Sequence, residues 1–98
     1  MKVSLLDLHC LNAVADDLET AASILDDVRR TSHADVDAAD VAACLAKLVR
    51  DGMAEACVFD PTTAEYLPAA SLSQDFDALW FRITDRGRRH LDANWLDE

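Results

Sequence analysis

A chain of 98 residues, 51% hydrophobic and 29% charged, suits one globular domain around one core and excludes a disordered polymer. Nineteen acids against nine bases give a net charge of −10 and a pI near 4.4, a balance that repels phosphate backbones and anionic lipid. No apolar run approaches the roughly 20 residues of a membrane span, and Met1-Lys2-Val3-Ser4-Leu5-Leu6-Asp7 meets an acid too early to be expected as a secretory leader.

Leu5, Leu8, Leu11 and Ala15 recur at helical spacing and predict a first helix over about 4–15. Asp16 followed three residues later by Glu19 is a variant capping box. It predicts a second helix over about 17–30, with Leu18, Ala21, Leu25 and Val28 on its inner stripe and Arg29-Arg30 at its C-terminal end. Residues 31–34 read as a connector. The third helix, about 37–51, is the clearest element. Val41, Cys44, Leu45, Leu48 and Val49 stand at i, i+3, i+4, i+7 and i+8. Asp37 is its expected N-cap, with Asp40 at the third helical position, and Gly52 supplies the left-handed residue that ends it.

Beyond Gly52 the period changes. Residues 54–59 read as a strand, Asp60-Pro61-Thr62-Thr63 as a turn, and 64–67 as a short returning strand. Residues 69–77 fit either a loop or a short helical turn. Leu79, Phe81 and Ile83 alternate with Trp80 and Arg82, predicting a strand whose Trp80 points away from the core. Thr84 caps a last helix over about 85–96, with Leu91 inward. The fold class expected is mainly α with a small β-hairpin, an α+β domain over residues 1–98.

The order is helix, helix, helix, strand, connection, strand, helix, and three helices followed by a β-hairpin resemble a winged helix-turn-helix domain. Two segments sharpen the likeness. Leu45-Ala46-Lys47-Leu48-Val49-Arg50-Asp51-Gly52-Met53 is similar to the end of the recognition helix in bacterial regulators of the MarR, PadR and ArsR kinds. Trp80-Phe81-Arg82-Ile83-Thr84-Asp85-Arg86-Gly87-Arg88-Arg89-His90-Leu91 resembles their closing strand and following helix. The resemblance implies a three-helix core, a wing over about 54–84 and a C-terminal helix. It also implies that the third helix is the one that would enter a DNA major groove.

Groove-reading helices carry polar or basic side chains outward. Here the outward positions are Ala39, Asp40, Ala42, Ala43, Ala46 and Lys47, and only Lys47 can donate to a base or phosphate. These alanines read either as a solvated helix of good formers or as a flat surface for a partner helix. No base occurs between Asp51 and Trp80. The remaining basic patch, Arg82, Arg86, Arg88 and Arg89, fits internal pairing with the surplus acids, a phosphate-contacting patch, or contact with a charged partner. Trp80 and Trp95 are candidate contacts of a homodimer, Trp95 equally a core residue. Protein contacts are therefore the expected mode of action, and DNA binding through Arg82–Arg89 the alternative.

Catalytic, cofactor and metal residues are not expected. Two glycines leave no phosphate-cradling loop, and no nucleophile elbow or dinucleotide fingerprint occurs. Asp35, Asp37 and Asp40 after His33 lack the glycine and distal glutamate of a calcium loop and read as helix capping. Cys10, Cys44 and Cys57 lack zinc spacing and cannot all pair. They read as buried thiols in a reducing cytoplasm, Cys57 facing the core from its strand.

Overall fold

In the computed structural model, which describes residues 5–32, 35–69 and 76–94, four helices flank a four-stranded antiparallel sheet. The order is α1 (Leu5–Ala13), β1 (Glu19–Thr20), α2 (Ala21–Ser32), α3 (Ala38–Arg50), β2 (Ala54–Asp60), β3 (Glu65–Pro68), β4 (Trp80–Ile83) and α4 (Asp85–Asn94), with a 3-10 turn at Phe76–Ala78 before β4. The strands lie in the order β1-β4-β2-β3. The described part is an α+β fold.

The third helix forms as its sequence dictates. Asp37 accepts from the Asp40 amide at 2.9 Å, and the Asp40 carboxylate accepts from the Asp37 amide at 3.2 Å, a reciprocal capping box. At the other end Gly52 adopts φ 77°, with Gly52 N–H donating to Val49 O and Met53 N–H to Leu48 O. This is the Schellman arrangement, closed by the buried pair Leu48 and Met53.

The second helix starts later than its acids suggest. Residues 15–17 are a bend, and Glu19-Thr20 pair with Phe81 and Trp80 as an edge strand that spacing did not reveal. The cap is Thr20, whose Oγ1 accepts from the Ser23 amide at 3.3 Å, and not Asp16 with Glu19. Leu18 therefore lies outside the helix. Ile24 and Val28 are its fully buried residues, and Thr31-Ser32 extend it instead of connecting. The start of α1 differs too: Leu5 is 67% exposed. Its inward stripe is Asp7, Cys10, Leu11 and Val14, at i, i+3, i+4 and i+7, with Leu8 beside it.

The core lies between the helices and one face of the sheet. Leu11, Ile24, Val28, Leu45 and Phe81 are wholly inaccessible, and each such side chain contributes about 2 kcal/mol. Ala54, Ala56 and Phe81 face this core from the sheet. Cys57 does not. It is fully buried, but it is one residue out of phase with Ala56 and pairs with Trp80 and Pro68 on the opposite face.

Strand β4 is joined to α4 at a tight junction. Thr84 Oγ1 donates to Gly52 O at 2.6 Å and accepts from the Gly87 amide at 3.0 Å, while Thr84 N–H donates to Met53 O at 3.1 Å. A Cβ on Gly87 would stand 1.9 Å from that same Met53 oxygen, so this position admits only glycine. The expected helix is described to Asn94. Residues 70–75, within the segment left open between loop and turn, and Trp95 lie outside the described residues, as does His33.

Candidate functional site

The outward side of α3 is built almost entirely from alanine. Ala39, Asp40 and Ala43 are exposed; Ala42 and Ala46 are half-buried. Lys47, the one base expected to be available there, lies back across the start of α1 with its ammonium 2.7 Å from Asp7 Oδ2. Asp7 is only 7% exposed, and its other oxygen accepts from the Cys44 thiol at 3.0 Å. A buried carboxylate needs a cation and hydrogen-bond donors. Lys47 and Cys44, three residues apart on one helical face, provide them.

The same contacts set the acidities. Hydrogen bonding to Asp7, with its negative charge, holds the Lys47 ammonium above its ordinary 10.5. The Cys44 thiol is pushed well above its ordinary 9.0, first by its hydrogen bond with Cys10, then by burial and by Asp7. Burial is also the first cause raising Cys57, opposed by Arg82 and aided by Glu55. Both shifts oppose thiolate formation, the reverse of an activated nucleophile.

Asp7 was not legible as a site residue, because an acid beside Leu5 and Leu6 looks like a solvated position. The available signal was its phase. Asp7 precedes Cys10, Leu11 and Val14 by three, four and seven residues, so an inward stripe through them must include it.

The β2–β3 hairpin presents carbon and carboxylate. Val58 is 47%, Phe59 40% and Leu67 44% exposed. On the outer face Phe59 packs on its cross-strand partner Tyr66 at a centroid distance of 5.1 Å, and Tyr66 meets Trp80 edge-on at 5.5 Å. Trp80 thus points away from the core and is half-buried beneath these rings. Asp60 accepts from the Thr62 amide at 2.9 Å and stands opposite Glu65 across the ladder.

The four arginines of the basic patch divide into two kinds. Arg82 is bound to Glu55, with Nε 2.9 Å from Oε1, and an Arg88 guanidinium nitrogen donates to Ala15 O. Arg86 and Arg89 are exposed and have no hydrogen bond or ion pair among the described residues. Close to Arg82 and Arg88 a cleft of about 260 Å³ is walled by His9, Asp16, Asp17, Glu19 and Asp27, again acidic. No protein-family model matches the chain, and no curated protein matches it.

Proposed function

We propose that this chain is a non-catalytic winged-helix protein, similar in fold to transcription regulators, that acts mainly through protein contacts and works as a homodimer in the cytoplasm. Three packed helices followed by an antiparallel hairpin support the winged-helix reading. The observation that carries the functional reading is the Asp7–Lys47 pair. It takes up Lys47, one of the two bases on α3, and leaves an outward side of alanines and Asp40, with Arg50 at the helix end beside Asp51. The hairpin adds exposed Val58, Phe59 and Leu67, groups that suit a protein surface and not a polyanion. Cys44 and Cys57, both buried and held away from the thiolate form, suit packing and not nucleophilic chemistry.

DNA binding through Arg82–Arg89 is the second reading, favoured by Arg86 and Arg89, which have no ion pair among the described residues. Fluorescence anisotropy with a labelled mixed-sequence duplex separates the two. Protein action predicts no saturable binding at about 50 mM salt; affinity falling steeply as salt rises, and weakened by Arg86→Ala with Arg89→Ala, would establish DNA binding.

A further inference from the structure

We propose that the open face of the hairpin tip, Val58 and Leu67 flanked by Asp60 and Glu65, seats α4 of a second copy of this chain, with Arg86 and Arg89 meeting the two carboxylates. The inference rests on the protein-contact reading and names its surface.

Asp60 and Glu65 are direct cross-strand partners. Like charges placed so destabilise a ladder, and neither has an ion pair among the described residues. Two residues along the same face stand Val58 and Leu67, also cross-strand partners and nearly half exposed. The tip thus offers two carboxylates about 5 Å apart beside an aliphatic pair.

Its complement is on α4. Arg86 and Arg89 are three residues apart on a helix, which sets their origins about 5–6 Å apart. The two spacings match, and the aliphatic stems of both arginines can cover Val58 and Leu67 while the guanidinium groups reach the acids. In a chain with 19 acids and nine bases, unpaired cations are the unusual finding. Arg29, Arg30, Lys47, Arg50, Arg82 and Arg88 all have a partner.

The contact cannot form within one molecule. The Arg86 side chain lies beside Gly52, at the base of the hairpin, and β2 carries Asp60 about 20 Å from its start at a strand rise of about 3.4 Å per residue. A two-fold axis midway along the hairpin brings each tip to the other copy's base, so the two contacts repeat and the assembly closes. Strand addition on β3 is hindered at Pro68. Ala69 N–H donates to Ala56 O, so Pro68, one residue before, turns its ring nitrogen to the open edge and offers no donor there.

Sedimentation equilibrium of the full chain up to about 200 µM tests this. The wild type is expected to dimerise. Arg86→Glu with Arg89→Glu should weaken the dimer at least about tenfold, as should Glu65→Lys, both with unchanged far-UV circular dichroism. Mixing the two variants should restore a heterodimer, because each supplies what the other lacks. Val58→Thr with Leu67→Thr, which keeps strand-forming residues, should also weaken it. A wild-type monomer at every concentration, a dimer that none of these variants moves, or a mixture that stays monomeric overturns the proposal. The duplex titration above decides the underlying reading independently.

Discussion

Asp7 holds two helices together, and its surroundings make the fold sensitive to alkali. Lys47, Cys44 and Cys57 all keep their protons more firmly in the folded chain than their ordinary values of 10.5, 9.0 and 9.0 imply. A raised folded value means that the native state binds more protons than the unfolded chain once the ordinary value is passed. Their contributions are therefore complete below about pH 9 and are lost as pH rises beyond it, the thiols first and Lys47 later. Melting temperature should be level through neutral pH and fall above about pH 9. Cys44→Ala should flatten that fall, and an equally steep fall in the variant would count against this origin. Lys47→Met should cost more stability than Arg50→Ala, because it strands a buried carboxylate whereas Arg50 meets Asp51 only at 3.7 Å in solvent. Gly87→Ala should destabilise by about 3 kcal/mol, since its methyl meets the Met53 carbonyl. Denaturant midpoints measure both.

Among the elements, legibility followed the strength of local signals. α3 was readable to within a residue because a full period-3.6 stripe, a capping box and a terminal glycine all agree. The alternation of Phe81 and Ile83 with Trp80 and Arg82 placed β4 and the outward Trp80 equally well. β1 is two residues long and has no periodicity to show; it exists because Glu19 and Thr20 complete the edge of β4. That pairing also delays α2, so the Asp16–Glu19 spacing, sound as a capping pattern, lost to a tertiary constraint. Cys57 was correctly expected to be buried, but the sheet is covered on both faces at this point, which one sequence cannot reveal. The hairpin turn holds a further testable detail. Ala64 sits at φ 57°, the left-handed region that disfavours a Cβ. Ala64→Gly should therefore stabilise, by up to about 1 kcal/mol, and a loss in thermal melts would contradict this.

At the scale of the whole molecule, the distribution of charge matters more than its sum. The net −10 made phosphate an improbable partner from composition alone, yet the decisive facts are local and depend on contacts 40 residues apart in sequence. Lys47 was rightly placed on the helix but not rightly supposed available, because its partner Asp7 lies on another element. Arg82 and Arg88 were grouped with Arg86 and Arg89 by proximity in sequence, whereas the fold ties down the first two and leaves the second two exposed. Among the described residues, the outward surfaces that bear on function are an alanine helix ending in Arg50, an aliphatic and acidic hairpin, and one short basic face on α4. The most direct test reads the α3 surface residue by residue: amide chemical shifts of the isotopically labelled chain during addition of duplex DNA at about 50 mM salt. Amides of residues 38–47 are expected to stay in place. Shifts that saturate and concentrate on Ala42, Ala43 and Lys47 would contradict the account.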